Sequence, residues 1–426
     1  MGCDGGGAAG GGPLKTRTAP PEIGHQAPRG RDRLVDIFRG LAFLLIFISH
    51  TPGNDWKRFI PGAWGFSDAT EVFVFVSGLA AGYAFVPPFH RAGFRFGVLK
   101  VARRVWQVYL AHLIMFFAIA AMLSAADFIV GGRTHVDFLN LRFFFDDPQR
   151  NLIGLLTLTY VPNLFDILPM YIVILALIPL WVLAARVSPL APFALSLALY
   201  IAAQAGLRLP AEPWSDREWF FNPFGWQLLF LFGMSFSAGW LPKPRLSRPL
   251  VWASLALVLV SVPFANHDIR TLWAPLEEMR AALEPVAGKT TLGPLRILHF
   301  FALAAVVLAA VGPAGRRLTG RAARWLERIG QQSLIVFVSS TILAQLFGVL
   351  IYEIENNWGT TLLASVAGFA AMYWIARASA GVKAALSAPP RPVPPATAAP
   401  PQAPARPAPG SPAGGNPPAP RTGRAG

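Results

Sequence analysis

Ten stretches of this chain are almost wholly apolar over about the ~20 residues that a helix needs to cross a bilayer, and no other feature constrains the fold as strongly. They lie near 34–50, 69–87, 105–126, 168–186, 190–207, 224–240, 250–265, 297–312, 332–352 and 359–376. Of 426 residues 54% are hydrophobic and only 14% charged, against ~25% charged in an ordinary soluble domain. Lipid offers backbone groups no water, so such segments must be helices. The expected class is therefore an all-α, polytopic integral membrane protein of about ten transmembrane helices. The stretch 151–161 is too short to cross and precedes Pro162, so it reads as a re-entrant or interfacial piece.

Composition divides the chain into a Gly/Pro-rich basic leader (1–30), a membrane domain (31–380) and a Pro/Ala-rich tail (381–426). Both ends are too poor in apolar residues to order themselves, and the tail is expected in the cytoplasm. The net charge of +15 would suit nucleic acid if it were clustered. Instead the loops alternate, and the leader, the tail and every second loop hold more than twice as many Lys and Arg as the others. The positive-inside rule then places both termini in the cytoplasm, N-in and C-in, and accounts for the basic charge with a lipid bilayer and no nucleic acid as partner. The single cysteine, Cys3, excludes a disulfide framework and a paired-thiol site.

The first apolar run carries Asp36, Arg39 and His50. At 100° per residue Arg39 and His50 fall within about 20° of one face, and Asp36 lies about 60° from Arg39. The rise from Arg39 to His50 is about 16 Å, half the hydrocarbon thickness. Charges at such depth cost ~2.5 to 3.5 kcal/mol each, so the stripe should face the bundle interior or a polar cavity. Asp36 and Arg39 also fit a structural i, i+3 ion pair, and His50 an interfacial helix end.

Asp68 and Glu71 open the second run on the same outer side as His50. They suit either orientation of that imidazole, hydrogen bonding to a hydroxylated substrate, or plain N-terminal capping. Lys100, Arg103 and Arg104 precede the third run, where cationic donors suit the phosphates of a nucleotide-bearing cofactor or serve as topogenic charge. On the outer side Asn222, Trp226 and Gln227 stand in an aromatic and amide cluster of the kind that binds sugar rings or forms an interfacial belt. Arg296 and His299 begin the eighth run one turn apart as a further substrate-binding candidate. No His-x-x-x-His, Gly-x-Ser-x-Gly or phosphate-cradling loop is present, so no metal site and no permanently bound cofactor are expected.

Arg33-Leu34-Val35-Asp36-Ile37-Phe38-Arg39-Gly40 with His50, followed by Gly65-Phe66-Ser67-Asp68-Ala69-Thr70-Glu71, resembles the opening of the OpgC family. Those are membrane succinyltransferases of osmoregulated periplasmic glucans, within the wider transmembrane acyltransferase superfamily. Tyr109-Leu110-Ala111-His112-Leu113 and the 221–230 segment add to the similarity. The resemblance implies a multi-pass enzyme of the bacterial inner membrane. Its donor would be an acyl-CoA, with succinyl-CoA implied, and its acceptor a periplasmic glucan or other glycan. With it, His50 becomes the general base, Arg39 the group holding the donor's thioester or pantetheine end and Asp36 the anchor of Arg39. Lys100, Arg103 and Arg104 then meet the CoA phosphates. Acylation of another surface polysaccharide, and a transporter or flippase using the same charges, are the competing readings.

Overall fold

The computed structural model describes residues 32–131, 134–312, 315–387 and 415. The expectations for the leader and for most of the tail lie outside these residues. Contacts divide the chain into Met1–Gly381 and Val382–Gly426, and the first of these units holds everything that follows.

All regular structure among the described residues is helical, apart from an isolated antiparallel bridge between Pro210 and Glu218. The principal helices are α1 (Arg33–His50), α2 (Ala69–Arg91), α3 (Phe94–Val130), α4 (Ile167–Ala185), α5 (Ala191–Gln204), α6 (Pro223–Ala238), α7 (Arg248–Ala265), α8 (Pro294–Val311), α9 (Arg321–Gln331), α10 (Ser333–Ile354) and α11 (Trp358–Ser387). Ten of them coincide with the ten apolar runs. The additional one, α9, is the amphipathic segment between the eighth and ninth runs.

Seven, namely α2, α3, α4, α7, α8, α10 and α11, are long and apolar enough to cross a membrane. Arg33, Asp36 and Arg39 load α1 with charge, while α5 and α6 have 14 and 16 residues, short of the ~20 of a full crossing. The 151–161 stretch forms a helix over Pro148–Thr157, whose 10 residues also fall short. The third run begins earlier than its hydropathy suggests, because α3 starts at Phe94 and carries Lys100, Arg103 and Arg104 on its opening turns.

Local chemistry sets the helix ends. The Asp32 carboxylate accepts from the Leu34 amide and caps α1. Asp68 and Glu71 form a reciprocal capping box on α2. Gly131 and Gly239 close α3 and α6 in the left-handed region, with φ of 82° and 79°.

Glycine then decides which helices touch most closely. Gly78 and Gly82, four apart on α2, lie against the Phe230 and Met234 carbonyls of α6, and Gly233 of α6 lies against the Phe75 carbonyl. This is the small-residue packing that brings backbones together in membranes, where burial in lipid supplies no hydrophobic drive. Gly40 of α1 and Gly330 of α9 do the same, against the Leu326 and Asp36 carbonyls. At the periphery, α7 buries only Ser254 and Ser261.

A methyl at Gly78 would meet the Phe230 backbone, which cannot rotate away, whereas one at Gly381 meets nothing within 4 Å. We expect Gly78→Ala to destabilise the protein by about 1–3 kcal/mol and Gly381→Ala to leave thermal unfolding in detergent unchanged. Equal melting of the two variants would show that the α2–α6 contact does not need its glycine.

Candidate functional site

Arg39 projects from the buried face of α1 into a cavity of about 410 Å³. Its guanidinium donates to the Asp36 carboxylate at 3.1 Å, to the Gly330 carbonyl at 3.3 Å and to the Val76 carbonyl at 3.3 Å. The first acceptor comes from one turn earlier on the same helix. The second is near the C-terminus of α9, where free carbonyls carry partial negative charge. Lys100, Arg103 and Arg104 of α3 line the same cavity, and no carboxylate is among its lining residues in the described part of the chain. Their spacing of three and four residues puts the three cations on adjoining positions of one helical surface. Lys100 Nζ donates to the Ala84 carbonyl at 3.0 Å, and Arg104 reaches Gln107 at 3.4 Å. Four cations and the hydroxyls of Ser77 and Ser333 surround one concavity, a charge pattern complementary to phosphates or a carboxylate.

His50, the last residue of α1, lines a different cavity of about 660 Å³ together with Asp68, Asp166, Lys289, Phe220 and Phe221. Its Nδ1 lies 2.7 Å from the Ile46 carbonyl, so Nδ1 carries the proton and donates it there. That assigns the lone pair to Nε2, the atom a general base needs. Gln345 of α10 donates to the His50 carbonyl at 2.9 Å and fixes the end of the helix.

Asp68 pairs with Lys289 Nζ at 2.5 Å. Burial alone would raise its carboxyl, yet Lys289 and Arg296, with the Thr70 amide, outweigh that and hold it well below the usual carboxylate range. Lys289 also stands over the faces of Phe220 and Phe221, at 6.0 and 5.6 Å from their centroids. Polar groups beside aromatic faces are what a carbohydrate-sized ligand engages.

The remaining candidates stand behind this wall and are not among the residues lining it. Glu71 is fully buried, accepting from the Asp68 amide at 2.7 Å and from Arg296 Nε at 2.7 Å. Arg296 thus bridges Glu71 and Asp68. His299 Nδ1 accepts from the Ser67 amide at 3.2 Å, and its ring fills the space left by Gly65. Asn222 caps α6 and takes the Thr290 carbonyl on its amide, while Trp226 donates its indole N–H to the Lys289 carbonyl at 3.0 Å. These two hold in place the loop that carries Lys289. Gln227 is tied to Ser196 and to the Phe224 carbonyl.

Lys289 and Asp166 are among the lining residues that escaped the sequence reading. Lys289 sits in an outer loop, and only its place between Gly288 and Gly293 hints at a fixed backbone. Asp166 directly precedes α4, where an acid ordinarily caps, but its carboxylate instead accepts from the Phe220 amide at 2.9 Å. Burial pushes Asp166 up to about 6, against the opposing pull of that amide and of Arg217.

The folded protein therefore holds a proton on Asp166 that the unfolded chain lacks between pH 3.8 and about 6. Stability should fall as pH rises through that window, by on the order of 3 kcal/mol, and Asp166→Asn should flatten the fall. Thermal unfolding across the window tests this, and an unchanged slope in the variant would assign the proton elsewhere.

A family model described as OpgC protein matches residues 31–384. Comparison with curated proteins and with solved structures gives no significant match. The match covers both cavities and the helices that line them. It joins a cation-lined cavity and an imidazole-bearing cavity in a bundle of long apolar helices. The chain belongs to the OpgC family and is thereby a membrane acyltransferase of the glucan-modifying kind.

Proposed function

We propose that this protein moves a succinyl group from cytoplasmic succinyl-CoA to hydroxyls of a periplasmic glucan across the bacterial inner membrane. The observation that carries this reading is one helix with a tethered guanidinium in one cavity and a free imidazole nitrogen in another. In this reading ten helices cross with both termini inside, so the basic cavity opens to the cytoplasm and the His50 cavity to the periplasm. Lys100, Arg103 and Arg104 take the CoA phosphates, and Arg39, anchored by Asp36, takes the near end of the pantetheine arm, whose thioester reaches on to His50. The ~16 Å rise between Arg39 and His50 is a distance that an extended pantetheine arm spans.

At His50 the chemistry is an acyl transfer. Nε2 takes the proton of a glucan hydroxyl, and the oxygen attacks the thioester carbonyl. The new C–O bond forms as the C–S bond breaks, and the imidazolium returns its proton to the departing thiolate. Lys57 and Lys289 bring positive charge to the cavity where the oxyanion develops. Asp68 holds Lys289, and Phe220 and Phe221 offer faces to the sugar.

The test is mass spectrometry of periplasmic glucans from a deletion strain carrying the wild-type gene or His50→Ala at matched membrane levels. A ladder spaced by the succinyl mass with wild type alone is the expected result. A ladder of another spacing keeps the acyltransferase and changes the acyl group, and no ladder in either strain ends the glucan reading. In the same assay Arg39→Lys should lower transfer by about tenfold or more, because an ammonium lacks the planar fork with which the guanidinium reaches its fixed acceptors and a ligand together. Wild-type transfer by that variant would remove Arg39 from the donor site.

A further inference from the structure

The two cavities share one lining residue, Phe337 of α10. The helices that line both cavities, α1, α2, α4 and α10, pass from one to the other within a few residues. Along α1 the lining passes from Arg39 to Ile46, with the buried Phe43 between. On α2 it passes from Phe73 to Thr70, and on α10 from Leu334 through Phe337 to Thr341.

Phe43, Phe73 and Phe337 meet one another at that level. Phe73 and Phe337 stack at 5.8 Å between centroids and 21° between planes, and Phe43 stands 5.5 Å from Phe73 and 6.4 Å from Phe337. No polar relay bypasses them on α10, since Ser339 and Ser340 turn their hydroxyls back to the carbonyls of Ile335 and Phe337 on their own helix.

We propose that the Phe337 ring is the movable partition between the donor and acceptor cavities, with Phe43 and Phe73 as its fixed seat. The inference rests on the acyltransferase reading. There, the ring must turn aside for the acyl end of the donor to pass from Arg39 to His50, and the gap that it leaves limits the size of the acyl group. Phe337 touches the passing acyl group and selects it, without taking part in the proton transfer. A Phe ring can turn about its Cα–Cβ bond into another staggered well, which moves the ring without moving the helix that carries it.

Two readouts test the partition, one of them independent of activity. Cys3 is the only native cysteine, so Cys3→Ser combined with Thr341→Cys places one thiol in the His50 cavity. A small, charged thiol reagent is then added to sealed vesicles of each orientation. With Phe337 present, the thiol should react from one face only, and with Phe337→Ala from both. Labelling from both faces in the presence of Phe337, or from one face in its absence, overturns the partition whatever the enzyme transfers.

The second readout is transfer to glucan from succinyl-CoA and from a longer dicarboxylyl-CoA. Phe337→Trp should slow succinyl transfer by about tenfold or more with a much smaller change in CoA binding, and Phe337→Leu, smaller than the ring but apolar enough to keep the fold, should admit the longer group. Wild-type rates and selectivity in both variants would refute the selecting role. Absence of transfer by the wild-type protein would instead refute the acyltransferase reading, with the labelling result still deciding the partition.

Discussion

A guanidinium keeps its charge at any accessible pH, so burying Arg39 obliges the surrounding bundle to supply fixed acceptors. Much of the architecture follows from that demand. The Gly330 carbonyl reaches Arg39 because α9 lies backbone to backbone on α1, which Gly40 and Gly330 permit. The Val76 carbonyl belongs to α2, which Gly78, Gly82 and Gly233 clamp onto α6. Asp36 adds a carboxylate from within α1. The charge of one side chain is thus balanced by three helices whose mutual distance is set by residues with no side chain at all.

The two cavities divide the electrostatic labour. The first gathers cations and repels other cations, which favours a polyanionic ligand without specifying its shape. The second mixes Asp68, Asp166, Lys57, Lys289 and His50 with aromatic rings, a composition that reads hydroxyl geometry more than net charge. Much of the polar machinery around the second cavity serves positioning. Trp226 and Asn222 hold the Lys289 loop, and Arg296 with Glu71 steadies Asp68 from behind.

What the sequence made legible was local in character. Helical periodicity within one segment is enough to align Asp36, Arg39 and His50, and spacing along α3 is enough to group Lys100, Arg103 and Arg104. Hydropathy alone marked the ten helices, and family motifs supplied the chemistry. The rest depends on who meets whom across the bundle. Nothing near Glu71 in the chain says that Arg296, 225 positions later, takes its carboxylate away from the cavity. Asp166 looks like a helix cap until the Phe220 amide is found at its carboxylate. Lys289 resembles any loop cation, and Phe337 any phenylalanine of an apolar run. Gly78 and Gly82 did carry a readable signal in their four-residue spacing, one that hydropathy averages away.

Arg39 and His50 are carried on a single uninterrupted helix whose end is pinned by Gln345. The distance and the angle between them are therefore counted in residues. Inserting or deleting one residue between Phe43 and Ile46 would turn one end relative to the other by about 100° and shift it by about 1.5 Å. Either the imidazole or the guanidinium would then leave its cavity, however conservative the added residue. The segment can exchange one apolar residue for another, but a change in its length would separate the two groups from their cavities.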